Sequence, residues 1–315
     1  MLLRTSKNLK HLYLNEIFCN QAIFENLYVN TTVASLDLHL THKINDDFKF
    51  KAIDGLAKIL SKNSTLTSLN LITIKLGTEG VKTLLESLYK NTALNSLNID
   101  VNWIGAEEGK MIAEFLCKNK ALKYLNLYSN NLGSEGGKAL ANALCKNAAL
   151  TVLDIGYNKF GSEAGKALAD ALCKNTTLKD LNLCENDLGS EVGKALAEAL
   201  CKNITLTSLN LAGTNLGTKG GKALAKALCK NTTLTSLDIS FNYLGLEVGK
   251  ALADTLCKNT TLTSLNLDSN NLGPKGGKAL ANALYKNTTL TSLNLRYNNI
   301  KFKIKSNNQS IEILQ

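Results

Sequence analysis

From Leu66 onward a leucine stands at every twenty-eighth residue, Leu66, Leu94, Leu122, Leu150, Leu178, Leu206, Leu234, Leu262 and Leu290, without a slip. Each opens a segment such as LTSLNLDSNNLG at 262–273. Counting that leucine as position one, positions one, four and six are apolar, as in Leu122, Leu125 and Leu127, and the neighbours of four and six are polar. Such alternation predicts a short strand with one buried face. Position nine is asparagine in seven units: Asn102, Asn130, Asn158, Asn186, Asn242, Asn270 and Asn298. A carboxamide both donates and accepts, so a stack of them would satisfy the backbone of a buried turn. Ile74 and Thr214 should break that ladder.

The second half of each unit changes period. In SEGGKALANALCKN, from Ser134, Leu140 and Leu144 stand four apart on one helical face, while Gly137, Ala139, Ala141 and Ala143 leave room for close neighbours. Ser134 is the expected N-cap, and Lys146 and Asn147 suit the helix C-terminus. No unit can bury its apolar face alone, so stacking must do it. Two looser units, around Leu9-Leu12-Leu14 and Val33-Leu36-Leu38, precede the regular block. No linker separates them, so residues 1–315 are expected to form one domain: degenerate repeats over 1–65, then nine units over 66–315, the last truncated, with a tail at 301–315. The alternation of Ile300 to Lys305 before Ser306-Asn307-Asn308-Gln309 predicts a hairpin over the last open edge.

A unit reading LxxLxLxxNxLG and then GGKALAxALCKN resembles the ribonuclease-inhibitor-like class of leucine-rich repeats. It is similar to the repeats that end NOD-like receptors and, in unit length, to those of Ran GTPase-activating proteins. The resemblance implies an α/β fold, a curved horseshoe solenoid with parallel strands on its concave side and helices on its convex side. It implies a non-enzymatic scaffold that binds a protein on the concave face; regulation of a small GTPase in the manner of the Ran activators is the alternative. Ribonuclease inhibitors alternate two unit lengths and are acidic, whereas this chain keeps one length and is basic, which disfavours that activity. Within residues 1–315 no nucleotide-binding or signalling domain is expected beside the repeats.

With 44% hydrophobic and 20% charged residues, the chain reads as a soluble, core-forming polypeptide. Its net charge of +10 raises the question of an acidic partner. Lysines at positions seventeen (Lys82, Lys110, Lys138, Lys166, Lys194, Lys222, Lys250, Lys278) and twenty-five (such as Lys90, Lys118 and Lys146) carry much of the positive charge. Both columns fall on the outer helix face, where Glu114, Asp170, Glu198 and Asp254 are placed for i,i+4 pairing. A solvated convex face follows, with attachment to anionic surfaces as the sharper alternative. The expected concave positions hold seven acidic residues against five basic ones, so no nucleic acid is expected there. Met1 to Asn20 interleaves charge with apolar positions, and no eighteen apolar residues run together. A cytoplasmic protein without a membrane span is expected, with export that uses no cleavable signal peptide left open. The eight cysteines are too sparse for a disulfide scaffold. Six of them, Cys117, Cys145, Cys173, Cys201, Cys229 and Cys257, share one helix position and are expected as buried free thiols.

Catalysis finds no support. His11, His39 and His42 lack nucleophile or metal-ligand spacing, so no catalytic, cofactor or metal site is expected. Gly133 to Ala139 imitates a phosphate loop but is one residue short and lacks its final hydroxyl. The sequons at Asn175, Asn231, Asn259 and Asn287 are products of the repeat. The informative departures are aromatic: Trp103, Tyr128 and Tyr157 in one group, Phe241 and Tyr243 in another, and Tyr297 beside Arg296. Between the two groups stand Asp180, Glu185 and Asp187, next to Cys184. Exposed aromatics anchor protein interfaces, so a monomer binding a protein with apolar anchors and a basic centre is expected.

Overall fold

A computed structural model describes residues 8–15, 21–40 and 45–315. Contacts divide the chain into two compact bodies, Met1–Asn158 and Lys159–Gln315. The first runs β1(His11–Asn15), α1(Gln21–Val29), β2(Ser35–His39), α2(Asp46–Leu60), β3(Ser68–Asn70), α3(Gly77–Leu88), β4(Ser96–Asn98), α4(Ala106–Lys118), β5(Tyr124–Asn126), α5(Gly133–Leu144) and β6(Val152–Asp154). Its strands lie side by side in chain order, all parallel, with Leu36, Leu69, Leu97, Leu125 and Leu153 in register.

The second body runs α6(Ser162–Leu172), β7(Asp180–Asn182), α7(Gly189–Leu200), β8(Ser208–Asn210), α8(Gly217–Leu228), β9(Ser236–Asp238), α9(Gly245–Leu256), β10(Ser264–Asn266), α10(Gly273–Leu284), β11(Ser292–Asn294) and β12(Glu312–Leu314). Its strands are again parallel and sequential, with Leu181, Leu209, Leu237, Leu265, Leu293 and Ile313 in register. Alternating strands and helices realise the α/β class, and the leucines at positions one, four and six are buried throughout.

Each regular strand is only three residues long, because the position-five side chain closes it. Asn126 Oδ1 accepts from the Tyr128 N–H at 2.8 Å and Asn210 Oδ1 from that of Ala212 at 2.9 Å, bending the chain out of the ladder. The helix then starts earlier than expected. Gly133 takes φ +58° and turns the chain directly into α5, while Leu132 before it makes no side-chain cap, so Ser134 lies inside the first turn and is not the N-cap. Small residues set helix spacing: a Cβ on Gly193 of α7 would lie 2.7 Å from the Gly220 Cα of α8.

Two rows of buried asparagine run along the units. In the turn row, Asn130 Oδ1 accepts from the N–H groups of Asn102 and Ile104, at 2.9 and 3.0 Å, and its Nδ2 donates to Ile99 and Leu127 carbonyls. Asn242 and Asn270 repeat this in the second body. Thr214 can donate to Leu211 O but offers no amide oxygen to the unit before it, and there the Leu188 N–H turns to Asn186 O instead. The second row was not foreseen. Asn91, Asn147, Asn203, Asn231, Asn259 and Asn287 follow the helices, each donating Nδ2 to a helix-end carbonyl of the preceding unit, as Asn259 does to Leu228 O at 2.7 Å. Each also accepts from the N–H three residues on, opening the next strand.

The tail departs from the expected hairpin. Residues 301–305 form no strand; β12 pairs with β11 in parallel, as a further unit would. Ser306 Oγ donates to Leu284 O at 3.0 Å and Asn308 Nδ2 to Leu290 O at 2.9 Å, replacing the asparagine that a next unit would supply. Ile304 is buried, and its N–H donates to the Gln315 side chain.

Candidate protein-interaction surface

The turn that follows each strand is what displays side chains. Position eight, Thr73, Val101, Ser129, Tyr157, Glu185, Gly213, Phe241, Ser269 and Tyr297, has φ between 51° and 64° in every regular unit. Only one of the nine is glycine. Position ten is also left-handed at Trp103 and Tyr243. A side chain here leaves the turn outward, because the neighbouring position-nine side chain is fixed inside by the buried row. Bulky residues are rare in this region and strained by about 1–2 kcal/mol each.

The aromatic residues picked out by sequence therefore stand mostly on the turns beyond the strand ends and not on the strand face. Trp103 is 66% exposed, Tyr157 52%, Phe241 53%, Tyr243 70% and Tyr297 80%. In the first body, Tyr128 is half-buried and its ring lies 6.2 Å from that of Tyr157, tilted by 32°. Trp103 is engaged by a lysine: Lys75 Nζ sits 4.2 Å over its ring, a cation–π contact between position-ten residues of neighbouring units. That lysine was visible as a basic residue of this side, but nothing in the sequence marked its seat. In the second body, Phe241 and Tyr243 occupy one turn, and Arg296 and Tyr297 are adjacent and exposed. Glu185 and Asp187 are exposed, the latter accepting from Asn215 Nδ2 at 2.8 Å, whereas Asp180 is half-buried. Burial pushes the Asp180 carboxyl above its ordinary pKa.

One carboxylate of the first body was not singled out. Asp100 is half-buried, its Oδ1 is covered and has no hydrogen-bond partner among the described residues, and burial followed by repulsion from Asp154 raises its pKa. No group of three His, Cys, Asp or Glu among the described residues is arranged to hold a metal ion. His39 stacks on Tyr13 with centroids 6.3 Å apart, and His42 lies outside the described residues.

On the helix side, the position-seventeen lysines pair differently from expectation. Lys110, Lys138, Lys194 and Lys250 reach the glutamate three residues earlier, at 2.7, 2.8, 2.7 and 3.1 Å, and for Lys110, Lys194 and Lys250 this replaces the expected pair with the acid four residues later. These pairs are solvent-exposed and contribute little stability. The repeated helix cysteines are exposed and not buried, because the position follows the last inward leucine at the helix end; Cys184 is the buried one. Seven cysteines are free thiols, and Cys19 lies outside the described residues. The sequon residues Asn231, Asn259 and Asn287 belong to the second buried row, their amide nitrogens already committed to backbone carbonyls. Among the described residues no helix is long and apolar enough to cross a membrane.

Comparison with known proteins places this geometry. A family model described as leucine-rich repeat matches residues 118–141, 146–169, 174–197, 202–225, 230–253, 258–281 and 286–301. The leucine-rich repeat-containing protein LegL7 of Legionella pneumophila is similar over 83% of this chain and 80% of its own, at 27% identity and a TM-score of 0.54. A chain of the yeast Rad7 and Elc1 complex is similar over 95% of this chain and 83% of its own, at 16% identity and a TM-score of 0.44. The actin-binding site 2 of leiomodin-1 is similar over 42% of this chain and 76% of its own, at 26% identity and a TM-score of 0.38. No curated protein matches the chain.

Proposed function

The chain belongs to the leucine-rich repeat family, and from that premise we propose that it is a non-enzymatic scaffold whose partner, a protein, docks on the strand-and-turn side. The observation that supports this reading is the combination of strain and exposure at Trp103, Tyr157, Phe241, Tyr243 and Tyr297. Serine, threonine and glycine fill position eight in other units, and asparagine, lysine or aspartate fill position ten, so the fold does not require rings there. A residue type that strains the backbone and buries little in the free protein is explained by a contact made with something else. Tyr128 and Tyr157 would act as one anchor in the first body, and Phe241 with Tyr243 as another in the second. Asp180, Glu185 and Asp187 would orient a basic segment of the partner and speed encounter more than they would raise affinity.

Capture of partners from a lysate, quantified by mass spectrometry, tests the assignment. Trp103→Ala and Tyr128→Ala should each weaken capture of the same protein by about 1–2 kcal/mol, and Lys138→Ala with Lys166→Ala should leave it unchanged. Loss of capture in the lysine variants alone would move the interface to the helix side.

A further inference from the structure

The two degenerate repeats at the start of the first body leave a groove between their helices. Helix α1 has nine residues and α2 has fifteen, so α1 covers α2 incompletely. The result is a cavity of about 1070 Å³ between them. Its floor is apolar: Phe24, Ala52 and Ile59 line it and are almost fully buried. Gly55 lets the Phe24 ring lie flat on α2, since a Cβ there would come within 2.9 Å of the ring. Phe48, Tyr28 and Val29 form its walls, the last two still 37% and 52% exposed.

The charge around this apolar trough is unevenly balanced. Of the three lining lysines, Lys58 is neutralised by Asp54 at 2.8 Å. Lys51 and Lys62 make no ion pair among the described residues. Glu25 also lines the groove and is itself partnered. Lys62 Nζ lies 5.4 Å over the Tyr28 ring, which places an ammonium and a phenol at one end. From Leu60, the end of α2, back to Phe48 the helix path is about 18 Å at its ordinary rise, room for a long acyl chain laid along it. A floor without polar side chains offers nothing to a nucleotide or sugar, whereas apolar walls closed by a cation suit an amphiphilic anion.

We propose that the groove between α1 and α2 binds one long-chain fatty acid, its carboxylate at the Tyr28–Lys62 end and its chain along Phe24, Ile59 and Phe48. Lys51 and the stems of Lys58 and Lys62 close over the chain from the α2 side. The site is independent of the turn-borne aromatics.

Calorimetric titration of the full chain with monomeric palmitate tests it, with dodecanoate and dodecyltrimethylammonium as companions. Palmitate should bind saturably at one per chain, and dodecanoate at least tenfold more weakly, since each buried methylene contributes up to about fourfold. Dodecyltrimethylammonium, of opposite charge, should bind more weakly than dodecanoate. Lys62→Glu and Val29→Glu alter exposed side chains and should each lower palmitate affinity at least tenfold with the melting curve unchanged. Trp103→Ala should leave it unaltered, which separates this outcome from that of partner docking. Absence of saturable palmitate binding, equal binding by both glutamate variants, or attachment to anionic vesicles without binding of the monomeric acid would overturn the assignment.

Discussion

Single residues carry two opposed kinds of information in these repeats. Asn242 is wholly internal: its Nδ2 donates to Leu211 O and Ser240 O, and its Oδ1 accepts from the Thr214 and Leu216 N–H groups. Asn242→Ala leaves the Thr214 and Leu216 N–H groups unpaired, while Leu211 O keeps the Thr214 hydroxyl and Ser240 O the Gly213 N–H; a loss of about 3 kcal/mol is expected, read as a lower urea midpoint. An unchanged midpoint would mean the turn does not depend on its carboxamide. Asp100 works in the other direction. Burial and the nearby Asp154 raise its folded pKa, so the folded state holds that proton more tightly than the unfolded one. The resulting destabilisation is absent below the ordinary carboxylate pKa and complete once pH exceeds the raised value. Asp100→Asn should therefore stabilise the protein near neutrality and make no difference near roughly pH 3. Melting temperatures at the two pH values decide this; a gain that persists in acid would contradict it.

At the scale of elements, strand, turn and helix were legible in the sequence where a residue type has one physical use. Position-four leucines have to face the core, and position-nine asparagines can serve a buried turn, so both rows were readable from spacing alone. The left-handed backbone at position eight was not, because Val101, Tyr157 and Phe241 are residues that ordinarily avoid it. The second asparagine row was hidden for a different reason. Asn147 sits where a polar helix end would be expected anyway, and only the structure shows Nδ2 reaching Leu116 O at 2.7 Å. The cysteine column misled through its composition: cysteine is usually buried, but here it falls one residue past the inward-facing leucine. In the tail, alternation at 300–305 pointed to a strand, and the strand formed at Glu312–Leu314 because Ser306 first satisfies Leu284 O of the last helix and Asn308 the Leu290 carbonyl beyond it. Deletion of residues 306–315 should thus expose both the β11 edge and the end carbonyls of α10. The truncated protein should elute as concentration-dependent oligomers in size-exclusion chromatography; a monomer as stable as the parent would show the tail to be dispensable.

At the scale of the whole molecule, the repeat separates fold from recognition. Leucine, alanine and the two asparagine rows satisfy the requirements of stacking in every regular unit, so what differs between units is free to serve binding. Such differences concentrate on the turns, where Tyr157, Phe241 and Tyr297 take the place of the serine or threonine of other units at a cost in backbone strain. The family supplies the scaffold, and the proposed docking assigns the partner to these residues. The most direct test sets stability against binding in one substitution, Phe241→Gly, on a ring that is half exposed in the free chain. Relief of left-handed strain, offset by the greater freedom of glycine in the unfolded chain, should leave stability unchanged or raise it by up to about 1 kcal/mol. Measured on the same preparation, affinity for the captured partner should fall by at least tenfold. Retained affinity in a protein of equal or greater stability would contradict the claim that these turns are the binding surface.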